Sequence, residues 1–412
     1  MVKQVYLDKT PLDLAQKRWF QALESAHFFR TVPESVPTTE AFERVTAAPV
    51  VAARAVPHVR TSAMDGIAVR AAQTAGAGLD RPLGLRRGRD FVWVDTGDSL
   101  SPDFDAVVVI EALDFADEEA VELRQAAFPG QNVRPEGEDF AEGQTLLAAG
   151  QRLTPEAVAA CLAAGVLRVE VVRRPSVFVV PTGSELTSPL EALPPGKYPE
   201  TNSALFLGYL RRWGAQATLH PLIEDDPTSI ANAVSRGLDE HDIVLVNAGT
   251  SKGREDLTAS VFERLGQVQV HGVSMHPGHP VVLGVARNKP LVGVPGYPVA
   301  TWATLEQFVL PLLEKYYACP LQSRRTLSGT LERSVHSPLG EVEFVRVRLE
   351  RVDGGVRVHP LTGKASALSS LVQADGVLDV PAALSGYAQG ESVPVRLLHN
   401  GRPVFEREQN DG

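Results

Sequence analysis

The sequence predicts a multidomain α/β protein. A central, doubly wound and mostly parallel α/β sheet domain is joined to a helical arm, an inserted small β domain and a C-terminal β barrel. Three observations carry this. Short apolar runs alternate with helical patterns from 175 to 324, as in a parallel sheet covered on both faces. Two blocks, 48–145 and 325–412, are rich in short β runs and poor in helical periodicity. The chain has 412 residues, too many for one hydrophobic core.

Each element has its signal. In residues 1–47, Thr10 and Pro11 can open a helix that carries Leu14, Phe20 and Leu23 at near-helical spacing. Pro33 and Pro37 break it, and a second helix is expected over 40–47. Apolar runs at 91–94 and 106–110 are strands of the block 48–145, between polar loops at 57–66, 95–98 and 132–139. Residues 146–174 return to helix: Thr154 caps, Pro155 follows and Gly165 ends it. The β block is therefore inserted between two helical pieces, expected to pack together as the arm. Between 175 and 324, strands at 176–180, 217–219, 243–246, 280–285 and 291–294 alternate with helices at 205–213, from 226 and at 300–316. Past 325, the stretch 343–349 alternates polar with apolar, as a half-buried antiparallel strand does.

Composition excludes several classes. The chain has 40 basic and 50 acidic residues, a net charge of −10, which disfavours nucleic acid and anionic membrane surfaces. Two cysteines, Cys161 and Cys319, lack metal-ligand spacing and cannot make a disulfide framework. No stretch is long and apolar enough to span a bilayer, and the first residues do not read as a signal peptide, so a cytoplasmic protein is expected. Walker and Rossmann motifs are missing.

What remains is a set of polar, glycine-bearing loops at strand ends. The longest follows the buried run 243–246: Gly249, Thr250, Ser251, Lys252 and Gly253, then Arg254 and Asp256. Glycines there allow close backbone approach, and the next helix would present free N–H groups to an anion. Carboxylates beside an anion-accepting sheet edge suggest a bridging divalent metal. Taken singly, each loop reads equally well as a surface turn, and Asp226 as a helix cap.

Taken in order, the loops resemble one family. Ser62-Ala63-Met64-Asp65-Gly66-Ile67-Ala68-Val69-Arg70 resembles the SAMDGYAVR motif of the molybdopterin molybdenumtransferases, called MoeA in bacteria and the gephyrin E domain in animals. Thr96-Gly97 resembles its TG loop, and Arg134 with Gly137-Glu138-Asp139 its RxxGED loop. Thr182-Gly183-Ser184-Glu185-Leu186 resembles TGDEL, Thr201-Asn202 the TN after it, and Asp225-Asp226-Pro227 its DDP. Gly249 to Gly253 resembles GVSxG, His276-Pro277-Gly278-His279-Pro280 resembles KPGKP, and Pro295-Gly296-Tyr297-Pro298-Val299 resembles PGNPV.

The resemblance implies a MogA-like sheet domain and a homodimer. It implies a magnesium-dependent insertion of molybdate into adenylylated molybdopterin with release of AMP, alongside possible pathway partner proteins. By position it implies catalytic roles for Asp65, Asp139, Glu185, Asp226 and Asp256, with Glu185, Asp226 and Asp256 as metal ligands. Substrate would meet Thr96, Gly249, Thr250, Ser251, Lys252, Gly253, His276, His279, Pro295, Gly296, Arg346 and Ser370. Three departures stand out. Arg60-Thr61 replaces Asp-Asn before SAMDG, Ser184 replaces a carboxylate, and His276 and His279 replace two lysines. Histidine is fully charged only below a pKa of about 6.5, so anion binding would weaken at neutral pH unless Arg60, Lys252 or Arg254 compensates. The alternative to an active transferase is a pterin-binding scaffold of the same fold.

Overall fold

A computed structural model describes residues 9–117, 119–248, 255–322, 325–361 and 363–398. Gly249, Thr250, Ser251, Lys252, Gly253 and Arg254 lie outside the described residues. The chain divides into two compact units, Met1–Val32 with Arg173–Gly412, and Pro33–Val172.

Helix α1 (Leu12–Ser25) belongs to the first unit. It buries Ala15, Trp19 and Leu23, a stripe at four-residue spacing. Trp19 is fully buried and donates its indole N–H to Gly284 O, 2.9 Å away.

The unit Pro33–Val172 opens with β1 (Pro33–Pro37). A three-stranded antiparallel sheet follows, with β2 (Gly66–Val69) between β3 (Phe91–Val94) and β4 (Ala106–Val109). Ile67, Val69, Phe91, Ala106 and Val108 share one core. In α2 (Pro155–Ala163), Thr154 caps the Ala157 N–H with Pro at the first turn. β5 (Arg168–Val172) returns antiparallel to β1. The helix expected over 40–47 does not form; there is only a 3-10 turn at Thr38–Glu40. Backbone N–H groups there point away from the i−4 carbonyls: Glu43 donates to Leu153 O, Thr46 to Gln151 O and Ala47 to Glu170 O. Glu43 sits at φ 61, left-handed and outside helical geometry.

The two helical pieces fall in different compact units. α2 closes a cluster of Ala41, Val50, Leu153, Val169 and Val171 within its own unit. α1 contacts the α/β sheet instead, and its apolar stripe is covered there.

That sheet is built from β6 (Ser176–Pro181), β7 (Gln216–Leu219), β8 (Ile243–Ala248), β9 (Gln267–His271), β10 (Val282–Ala286) and β11 (Lys289–Pro295). Their order is β7-β6-β8-β11-β10-β9; the first three pairings are parallel and the last two antiparallel. The central strand β8 is buried along its whole length, which is why it reads as an apolar run with no alternation. Helices α3 (Asn202–Arg212), α4 (Pro227–Glu240), α5 (Glu255–Leu265), α6 (Pro298–Thr304) and α7 (Leu310–Tyr317) belong to this part. Ile230, Val234 and Leu238 of α4 share a core with Phe178, Val244 and Phe262. Asp242 ties the starts of β6 and β8: its carboxylate accepts from Ser176 N at 2.7 Å and from both ends of the Arg173 guanidinium.

Five strands close the expected barrel: β12 (Thr326–Leu331), β13 (Val342–Val352), β14 (Gly355–Pro360), β15 (Gly376–Val380) and β16 (Ser392–Leu397). The circuit runs β13-β14-β12-β16-β15 and back to β13. A short helix, α8 (Leu368–Gln373), lies between β14 and β15. Among the described residues no helix is long and apolar enough to cross a membrane.

Candidate active site

A cavity of about 470 Å³ opens at the carboxyl ends of β6 and β8. The chain order reverses between these strands: after β6 it crosses to β7 on one side, then to β8 on the other. Parallel sheets leave a crevice at such a switch point.

The loop leaving β6 forms the first wall. Thr182 N–H donates to Asn247 O at 2.9 Å, and Glu185 lines the cavity. The loop is braced by Asp225 rather than Asp226. Thr182 Oγ1 and Ser184 N each donate to the Asp225 carboxylate at 3.0 Å, and Asp225 N donates back to Ser184 Oγ. A serine hydroxyl suits this position, because it can accept from that N–H without bringing a second negative charge beside Asp225.

The floor is a pair of buried amides. Asn247, on β8, is 2% exposed; its Nδ2 donates to Val294 O and Pro295 O at 3.2 and 3.3 Å. Asn202, the first residue of α3, donates Nδ2 to Asn247 Oδ1 at 3.0 Å and to Gly296 O at 2.7 Å. Glu200, also buried, accepts from Ser203 N and so satisfies an open donor of α3.

The barrel contributes the loop 363–367. Ser366 lines the cavity, and Val299 N donates to Ala365 O at 3.0 Å, joining this loop to α6. Arg346 holds the loop in place. Its guanidinium, 6% exposed, donates to Phe344 O, Gly363 O and Ser370 Oγ at 3.0, 2.9 and 3.3 Å. Burial pushes Arg346 below the usual arginine range, against the pull of Glu343.

Glu185 and Gly296 are the expected site residues that meet in the cavity, with Pro295 O holding Asn247 directly beneath. Arg346 and Ser370 support the lining without being part of it. Asp226 caps α4 and accepts from Ser229 N at 2.7 Å; this contact holds its carboxyl below the usual range. Asp256 lies in the first turn of α5, but its side chain is outside the described residues. His276 and His279 are not in the cavity lining. His276 Nδ1 lies 3.4 Å from Glu343 Oε1. The surrounding protein and then the nearby Lys9 charge push the His279 imidazole below the usual histidine range.

In the unit Pro33–Val172, Asp65 Oδ1 accepts from Thr96 N at 2.6 Å and Thr96 Oγ1 at 2.8 Å, which holds Asp65 ionised. Asp139 is exposed, two residues after Gly137 at φ 72, and its N–H donates to Val56 O. Arg60 donates to Phe104 O within the same unit.

Two electrostatic facts define what the cavity accepts. Among the described residues its lining holds Glu185 and Glu200 but no Lys, Arg or His, so it is an acceptor-rich pocket rather than a phosphate cradle. Nor do any three His, Cys, Asp or Glu side chains gather as a metal-binding group among the described residues. With Asp226 engaged as a cap, these residues do not by themselves make up a magnesium set.

Sequence reasoning missed Asn247, Glu200 and Ser366, and gave Asn202 no role. A signal for Asn247 was available: a lone amide ending the apolar run 243–246 has to be paired where it is buried.

A switch-point cavity in a parallel sheet, closed by a loop from a β barrel, defines a small-molecule-binding α/β protein. The comparisons give the family. Residues 10–165 match the MoeA N-terminal region (domain I and II). Residues 178–315 match a probable molybdopterin binding domain, and 328–398 the MoeA C-terminal region (domain IV). Molybdopterin molybdenumtransferase 2 of Mycobacterium tuberculosis is 31% identical, with 88% of this chain and 94% of that protein aligned. The molybdopterin molybdenumtransferase of Synechococcus elongatus is 32% identical over 89% and 94%. The crystal structure of the Pyrococcus horikoshii molybdopterin biosynthesis MoeA protein superposes with a TM-score of 0.79 at 27% identity, covering 96% of this chain and 100% of that one. The chain belongs to the MoeA family, whose named relatives are transferases of molybdenum cofactor biosynthesis.

Proposed function

We propose that the chain is a molybdopterin molybdenumtransferase. It binds adenylylated molybdopterin; molybdate exchanges two of its oxygens, lost as water, for the two dithiolene sulfurs, and water cleaves the phosphoanhydride to free AMP. The observation that carries this reading is the acceptor-rich cavity at the switch point, the part of the chain that matches the molybdopterin-binding model. Its volume suits a heterocycle, and among the described residues its lining offers no positive charge to a phosphate. Glu185, at the cavity wall, orients the attacking oxygen. Asp65, held ionised by Thr96, and Asp139 are further carboxylates the reaction needs. Asp256 and the glycines Gly249 and Gly253 serve the phosphate side. The reading includes magnesium dependence, a homodimer and pathway proteins that deliver the adenylylated pterin.

The test is direct. Purified protein given adenylylated molybdopterin, molybdate and magnesium should release AMP, and Asp65→Asn, in a folded protein, should slow release by about 10²-fold or more. The second reading is a pterin-binding scaffold, favoured by the depressed His279 pKa and by a lining without Lys, Arg or His among the described residues. Tight pterin binding without AMP release would establish that reading over the first.

A further inference from the structure

We propose that the loop 188–197 is a lid on the switch-point cavity: it swings on its stem, lays Leu190 and Leu193 over a bound substrate and slows its escape. The lid rests on the transferase reading for its ligand and adds a moving part to that site.

The sequence builds the loop from two stiff turns. Ser188-Pro189-Leu190-Glu191 is a β-turn with proline second; Glu191 N donates to Ser188 O at 3.2 Å and Leu190 N to Ser188 Oγ at 3.3 Å. Pro194-Pro195-Gly196-Lys197 is another, closed by Lys197 N donating to Pro194 O at 3.1 Å, with Gly196 at φ 79 in the third place. Proline fixes φ in both, so each turn keeps its shape when the loop moves. The stem is short: Leu186–Thr187 runs parallel to Tyr198–Pro199 through two residue pairs. Leu186, Tyr198 and Pro199 are themselves part of the cavity wall. A swing about this stem therefore starts at the edge of the cavity, and five residues of extended chain reach about 16 Å.

Among the described residues, the loop's hydrogen bonds stay within the segment 184–197, with Lys197 Nζ donating back to Ser184 O. Residues 189–199 are all exposed. Leu190 is 95% and Leu193 58% exposed. One exposed leucine is ordinary. Here two lie on a stiff loop beside a cavity whose lining adds Tyr198 and Tyr297, 65% and 47% exposed. Apolar surface gathered at a cavity gains free energy when it is covered, and a substrate seated there provides the cover. Closure of this kind commits the substrate and puts lid opening on the path of product release.

The test labels the lid. Cys161 and Cys319 are both buried, so a cysteine introduced on the surface can be labelled selectively. The full chain carries Leu190→Cys with an apolar, polarity-sensitive dye, and iodide quenching reads the dye's exposure. Leu339→Cys, at a position 71% exposed outside the lid, is the control. Adenylylated molybdopterin is added without molybdate, and its binding is measured in parallel by equilibrium dialysis. Quenching at position 190 should fall several-fold on binding and stay constant at 339. In the double variant Leu190→Ser with Leu193→Ser, shown to be folded by its thermal transition, ligand dissociation should speed up about tenfold or more. Unchanged quenching with ligand bound, shielding that appears without ligand and grows with protein concentration, or an unchanged dissociation rate in the folded double variant would each overturn the lid. If the double variant does not fold, the quenching decides alone. Binding and AMP release without shielding at 190 defeat the lid and leave the transferase reading standing; absence of ligand binding defeats both.

Discussion

At the scale of single residues, the roles of Asp226 and His279 turn on what each touches. Asp226 accepts from Ser229 N as a helix cap. Replacing it with Ala should lower stability by about 1 kcal/mol. Asp226→Ser keeps a capping oxygen and loses the carboxylate, so it separates the two roles. The structure predicts near-normal stability and activity for the serine variant; an inactive but stable variant would make Asp226 a reacting group. His279 has its pKa depressed by the protein around it and then by Lys9. For a base the sign is plain. The folded state resists protonation, so stability is lost as pH falls below the unfolded value of roughly 6.5. The ring is neutral above that range. If His279 serves molybdate, the apparent KM for molybdate should fall as pH falls, and His279→Lys should extend tight binding to neutral pH. A profile flat in pH and indifferent to His279→Lys would place that role elsewhere.

At the scale of elements, packing outweighs local propensity. Gly237 lies inside α4, where Ala would be favoured by up to about 1 kcal/mol. A Cβ there would lie 2.5 Å from Phe178 Cδ1 and 3.1 Å from Val244 Cγ2, both on buried strands. Overpacking of this kind costs about 1–3 kcal/mol, so the clash wins. Gly237→Ala should lower the thermal midpoint; a raised midpoint would mean that helix and sheet are less tightly packed than the contact implies. The same competition explains what could be read from the chain. The fully buried strand β8 and the capped helix α4 announced themselves, because apolar continuity and Asp-Pro are local signals. The segment 40–47 did not, since its backbone donors are satisfied by Leu153, Gln151 and Glu170, more than a hundred residues away. The partner of α1 was hidden for the same reason: an apolar stripe states that it will be covered, not by what.

At the scale of the molecule, the order of loops along the chain led to the family, because glycine, proline and carboxylate spacings survive as contiguous motifs. The barrel was legible from alternation at 343–349, though its closure, made by β13 with β15, was not. The site was legible only in part. Glu185 and Gly296 were expected and line the cavity, whereas Ser366 reaches it on a loop held by Arg346, an arrangement no local pattern encodes. Asp225, beside the expected Asp226, braces the cavity wall. The motif DDP holds both carboxylates, and sequence alone does not say which way each points.

The central claim is that this chain places molybdenum in a pterin. The most direct measurement incubates the purified chain with adenylylated molybdopterin, magnesium and molybdate, then determines by mass spectrometry the molybdenum carried by the pterin product alongside free AMP. The account predicts molybdenum-bearing pterin and AMP in equal amounts, both lost in Glu185→Ala. AMP formed without molybdenum in the pterin, or unaltered product from Glu185→Ala, would contradict it.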